Sequence, residues 1–84
     1  MTIYRRSVYI LRSTRDPTRD YTGLTTNVTT RLGVHNSGGS LHTRDLRPWE
    51  LVVTIEFPNE ASAIAFEKYL KSGSGRAFAK RHFG

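Results

Sequence analysis

Two tyrosines, Tyr9 and Tyr21, stand in the stretch SVYILRSTRDPTRDYTG (residues 7–23), each in a short apolar run. A polar segment with two Arg–Asp pairs around a proline separates them. A phenol hydroxyl can orient water or exchange a proton, but with an ordinary pKa of about 10 it is a poor base near neutrality without help. Further along, Arg31 and His35 are four residues apart, a spacing that projects both from one face of a helix. Arginine grips a phosphate through two parallel hydrogen bonds, and histidine exchanges protons near neutral pH. The last member is a carboxylate. In a helix over 60–71, Glu67 falls between Ala63, Ile64 and Leu70, beside the apolar stripe and away from the face of Lys68 and Lys71. A carboxylate on the inner flank of a helix needs a partner, and an arginine or a divalent cation would serve. Singly, these residues read as sheet tyrosines, a solvated Arg/His pair and an ion-paired glutamate. Together they have the parts of a hydrolytic phosphate site.

These side chains must be held by a small set of elements. Residues 7–12 read as a strand, with Val8 and Ile10 on one face and Tyr9 and Leu11 on the other. Residues 21–25 read as a second, short strand, and the hairpin loop between the two is longer than the usual two to five residues. Thr26 or Asn27 can cap a helix from about Val28 to His35, which must lean on Val28 and Leu32 because its threonines and Gly33 are poor helix formers. NSGGS breaks the chain, and LHTRDLRPWE is irregular, with Trp49 an anchor at the core edge. Residues 51–57 form the clearest strand, with Leu51, Val53, Ile55 and Phe57 on one face and Val52, Thr54 and Glu56 on the other. Asn59 can cap a helix running to about Lys71, and Ser74 a last short helix. The order β-β-α-β-α-α predicts an α/β (α+β) fold: a small three-stranded, mainly antiparallel sheet flanked by helices.

The 84 residues make one domain, 1–84, with a single small core. There is no cysteine, which excludes disulfides and thiolate metal sites and agrees with a cytoplasmic location. No apolar run has the length of a membrane helix, and the N-terminal stretch lacks the pattern of a signal peptide. The net charge of +6 is unevenly placed. Up to Glu67 eight Lys/Arg face seven Asp/Glu; beyond it Lys68, Lys71, Arg76, Lys80 and Arg81 meet no acid. A basic segment on a near-neutral body suits a polyanion, though a solvated tail would look the same. His42 and His82 make no zinc pattern with His35, and NSGGS lacks the lysine of a phosphate-binding loop.

In order along the chain, several segments resemble one family, the GIY-YIG endonucleases. Ser7-Val8-Tyr9 and Tyr21-Thr22-Gly23 resemble its two naming tripeptides, and YTGLTTNVTTRLGVHNSG its second strand, Arg-bearing helix and following His. RPWELV resembles the entry to its third strand, AFEKYLK its metal-binding glutamate, and GSGRAFAKRHF the tail of its small stand-alone members. The likeness spans residues 4–83 and extends to the nuclease domain of excinucleases. Ser7 stands for the first glycine, Thr22 for the central isoleucine, and Leu24 where some relatives carry a lysine.

The resemblance implies roles residue by residue. Tyr9 would be the general base or orient the attacking water, with Tyr21 its partner near the scissile phosphate. Arg31 would stabilise the phosphorane-like transition state, His35 would help move a tyrosine proton, and Glu67 would ligate one Mg²⁺ or Mn²⁺. Arg15, Arg19, Lys71, Arg76, Lys80 and Arg81 are the candidate nucleic-acid contacts. The expectation is a divalent-metal-dependent endonuclease or nicking enzyme that hydrolyses DNA phosphodiester bonds by structure rather than sequence. DNA repair is its setting, branched or single-stranded DNA its partner, no membrane is involved, and a monomer is the favoured state. The other reading is a catalytically idle nucleic-acid-binding module using the same surface, in which Tyr9 and Tyr21 stack on bases.

Overall fold

A computed structural model describes residues 6–84; residues 1–5, the start of the expected 1–84 domain, lie outside the described residues. Three strands, β1 (Arg6–Ser13), β2 (Asp20–Thr25) and β3 (Trp49–Phe57), form one sheet of order β2-β1-β3 with both pairings antiparallel. Helix α1 (Val28–Ser37) and a 3₁₀ turn (Arg44–Leu46) lie between β2 and β3, and α2 (Glu60–Lys71) and α3 (Gly73–Phe83) follow. The expected element order and sheet are thus the observed ones.

The alternation in β1 explains why it is central. Val8 and Ile10 are buried with Ala63 and Leu70 of α2, and Phe78 and Phe83 of α3 complete that layer. From the opposite face Tyr9 and Leu11 are buried with Trp49, under Val28 and Leu32 of α1. A strand apolar on both faces needs cover on both, and helices supply it on each side.

On β3 the alternation is interrupted. Ile10 lies opposite Val53 but Leu11 lies opposite Leu51, so Val52 is an extra residue in the ladder. Because side chains alternate with period two, one inserted residue reverses every face beyond it. Leu51 therefore does not share a face with Val53, Ile55 and Phe57 as its position predicts; it sits on the Leu11 side, 42% exposed. The same reversal carries Trp49 to the face of Tyr9, and the strand begins at Trp49 rather than at residue 51.

Local signals set the helix ends. Asn27 Oδ1 accepts from the Thr30 N–H at 3.0 Å, and Asn59 Oδ1 from Ser62 N–H at 2.8 Å. Helix α1 runs two residues beyond His35 and closes on Gly38 at φ 86°. The last helix is capped by Ser72, not by Ser74. The Ser72 N–H bonds to Tyr69 O at 3.0 Å while its hydroxyl oxygen receives the Gly75 N–H at 3.2 Å, so one serine both ends α2 and starts α3. A side chain at residue 75 would collide with the Tyr69 carbonyl. Gly75 thereby permits the sharp corner that folds α3 back along α2.

Candidate active site

At the centre of the α1-facing layer, the Tyr9 hydroxyl lies 2.9 Å from Nε2 of His35. His35 is 1% exposed, and its other ring nitrogen, Nδ1, is 2.7 Å from Thr43 Oγ1. The Tyr21 ring completes the group, with its centroid 4.8 Å from His35 and 6.3 Å from Tyr9. Three residues scattered over the sequence thus form one buried polar chain, Tyr9–His35–Thr43, flanked by a second phenol. Among the described residues no buried side-chain nitrogen or oxygen lacks a partner.

Space for this arrangement comes from Gly23. It pairs with Tyr9 across the β1–β2 ladder, and a Cβ there would collide with the ring and hydroxyl of Tyr9. Its φ is not positive, so the demand is for room and not for an unusual backbone. The Tyr9 ring can therefore lie over β2 toward the edge of the sheet.

The segment between α1 and β3 holds the other side. Asn36 brackets the backbone of Trp49, Nδ2 donating to Trp49 O at 3.0 Å and Oδ1 accepting from Trp49 N–H at 2.6 Å. The Trp49 indole N–H donates to Thr43 O at 2.8 Å. Thr43, itself 1% exposed, is thereby fixed beneath the His35 ring. Asn36 and Thr43 lie beyond the reach of sequence reasoning, because nothing about an asparagine and a threonine in a polar stretch marks them. Gly23 does carry a signal, as the last letter of the second tripeptide.

Electrostatics draws in the two remaining residues. Burial pushes the Tyr9 phenol up to about 12; nearby Tyr21 and the negative charge of Glu67 act in the same direction, and Arg31 opposes them. Burial also holds His35 below its ordinary value, and Arg31 adds to the effect. His35 is therefore a neutral imidazole near neutral pH. Arg31 is exposed, one turn before His35 on α1, and Glu67 is half-buried on α2, which packs on the opposite face of the sheet. Both charges nevertheless act on the Tyr9 hydroxyl. Tyr9, Tyr21 and His35 thus form one contact group, and Arg31 and Glu67 act on it through their charge.

Glu67 corrects one expectation. Its Oε2 is 3.5 Å from Lys71 Nζ, so it is not turned away from that lysine. Four residues apart on one helix, the two are neighbours, and the flexible lysine stem closes the remaining distance. The six candidate nucleic-acid contacts also separate. Arg19, Lys71, Arg76 and Lys80 line one cleft, Arg81 lines another with Tyr69 and Phe78, and Arg15 donates to Asp45 O at 3.1 Å.

No group of three or more His, Cys, Asp or Glu that could hold a metal occurs among the described residues. One carboxylate is still a sufficient protein ligand for a hard cation that keeps its waters and shares phosphate oxygens with a substrate. No helix among the described residues is long and apolar enough to cross a membrane.

A family model described as the GIY-YIG catalytic domain matches residues 5–81. The chain is 42% identical to a structure-specific endonuclease subunit SLX1 of Chaetomium globosum, over 73% of this chain and 21% of that protein. It is 44% identical to a UPF0213 protein of Natronomonas pharaonis, over 77% of this chain and 75% of that protein. The chain spans about a fifth of the length of the first curated relatives it matches. The solution structure of a UPF0213 protein from Bacillus halodurans superposes with a TM-score of 0.57 at 34% identity, covering 95% of this chain and 87% of that one.

Proposed function

The chain belongs to the GIY-YIG family, and on that premise we propose that it is a divalent-metal-dependent endonuclease that hydrolyses DNA phosphodiester bonds, recognising DNA structure rather than sequence. One observation carries this reading: the Tyr9 hydroxyl is hydrogen-bonded to a buried neutral histidine within the field of both an arginine and a glutamate. The structure-specific activity named for the fungal relatives supports DNA, branched or partly single-stranded, as the substrate, and DNA repair as the setting.

The hydrogen-bond chain suggests how a phenol with a raised pKa serves as a base. With Thr43 Oγ1 accepting from Nδ1–H, the Nε2 of His35 is free to accept the Tyr9 proton. A water attacking phosphorus then gives a proton to the Tyr9 oxygen while Tyr9 passes its own to His35. No free phenolate is needed, which matters because burial opposes one. The Thr43 oxygen holds the resulting imidazolium in place. Arg31 stabilises the charge that builds on the phosphorane-like transition state, and Tyr21 positions the phosphate. Glu67 is the residue that would hold one Mg²⁺ or Mn²⁺. When bound, that ion supplies Lewis-acid stabilisation of the leaving 3′ oxygen.

Glu67→Gln tests the proposal, since it keeps size and hydrogen bonding but removes the charge a hard cation requires. In Mg²⁺ or Mn²⁺, on a panel of branched, single-stranded and duplex DNA, the variant should stay folded and bind DNA at least as well as the parent. Its cleavage should fall by at least about a hundredfold. An idle binding module would cut nothing before or after the change. A folded variant cutting at near-normal rate would refute the metal role.

A further inference from the structure

The long β1–β2 connection and the basic α3 have no part in the chemistry above, yet they face each other across a cleft of about 890 Å³. From one wall, Pro17, Thr18 and Arg19 of the connection face inward; from the other, Arg76 and Lys80 of α3 do, with Lys71 of α2 beside them. Ile10 and Leu70 lie beneath it in the core, each only 3% exposed, and Tyr21 is part of its lining. Such a section, cationic at the rim with a tyrosine in its lining, suits a chain with a charged backbone and flat side groups that can stack.

The connection is built as a rigid wall. Ser13 Oγ receives the N–H groups of Arg15 and Asp16 at 3.1 and 3.0 Å and donates to Leu46 O at 2.6 Å. Asp16 Oδ1 accepts from both the N–H and the hydroxyl of Thr18, at 3.1 and 2.6 Å. At its base Arg12 clasps Asp20 through two bonds of 2.9 and 3.1 Å, which removes the one acid lining the cleft among the described residues from competition with a bound anion. The loop that carries Arg19 is thereby held in one shape, and a loop already ordered loses less freedom on binding than a loose one.

The cleft joins the candidate active site in two places. Tyr21 lines it while its ring lies 4.8 Å from His35, and Lys71 lines it while its ammonium lies 3.5 Å from Glu67. A cleft of about 890 Å³ has the size of a small-ligand pocket, room between its walls for a few nucleotides of one strand and not for a duplex. We infer that this cleft receives one unpaired DNA strand, its phosphates held by Arg19, Arg76 and Lys80, and delivers it past Tyr21 and Glu67 to the Tyr9 hydroxyl. The choice of DNA rests on the nuclease reading above; the preference for an unpaired strand rests on the cleft.

Anisotropy of a labelled oligothymidylate and of a hairpin duplex, in EDTA so that nothing is cut, tests the inference. The protein should bind the oligothymidylate more tightly than the duplex. Arg76→Ala/Lys80→Ala should weaken that binding by at least about tenfold at roughly 100 mM salt and flatten the salt slope by about 1.4, the value for two phosphates of a single strand. Arg15→Ala/Arg81→Ala removes the same charge outside the cleft and should leave oligothymidylate affinity within about twofold. Equal losses from both double variants, or equal affinity for the duplex, would overturn the cleft as a strand site. Cleavage in Mg²⁺ keeps the two readings apart. A protein that cuts no DNA yet shows the selective pattern overturns the nuclease and leaves the cleft standing; one that cuts DNA with equal losses from both double variants overturns the cleft alone.

Discussion

Replacing Gly23 by alanine adds one methyl group where the Tyr9 ring leaves no room for it. The backbone at this position tolerates alanine, since φ is not positive, so the effect of Gly23→Ala comes from the collision alone. Tyr9 is 2% exposed and packed with Leu11 and Trp49, so its ring cannot swing clear without disturbing that layer. Overpacking of this kind costs about 1–3 kcal/mol. In a domain of this size that lowers the Tm by roughly 4–24 °C. The site should suffer more than the fold. A shift of about 1 Å in the phenol breaks the 2.9 Å bond to His35, and misplacement on that scale costs about a hundredfold in rate. The assay is cleavage of a branched DNA in Mg²⁺ well below the Tm of the variant, beside binding in EDTA. Cleavage should fall about a hundredfold while binding stays within about twofold, because Arg19, Arg76 and Lys80 are untouched. Removing the collision partner should recover stability, so Tyr9→Ala/Gly23→Ala should be less destabilised than the sum of its parts. A Gly23→Ala protein that melts and cuts like the parent would refute the claim that this glycine makes room for the phenol.

The raised Tyr9 pKa has a pH consequence: the stability it contributes is fully present below pH 10 and is lost as pH rises toward about 12, because the unfolded chain releases the proton first. The loss is about 3 kcal/mol. Urea unfolding across that range should show it in the parent and not in Tyr9→Phe, and equal alkaline dependence in both would contradict it. His35 has the opposite sense: with its pKa lowered in the fold, stability falls as pH drops below about 6.5, since the unfolded state then takes up a proton that the native state refuses. Comparison of unfolding at pH 7.5 and pH 5 should find this loss in the parent but reduced in His35→Gln.

Much of the fold is legible in the sequence because it depends on neighbours in the chain. Alternation in residues 7–12 marks a strand covered on both faces, and Asn27 and Asn59 announce helix starts through bonds spanning three residues. The unusual length of the first hairpin connection and the loss of acids after Glu67 are also visible there, and both belong to the cleft. Type, spacing and family likeness name the five candidate residues, but not the contacts that join Tyr9, Tyr21 and His35. Only the tertiary structure decided that His35 bonds Tyr9 across 26 positions, or that Thr43 fixes its second nitrogen. The same holds for the bulge at Val52, which turns Trp49 to the site face, for the shared cap at Ser72, and for the division of Arg15 and Arg81 from the other cations. Each depends on register and packing between distant segments. A hydrogen bond or a missing methyl group there has an energy only once two strands and a helix have met.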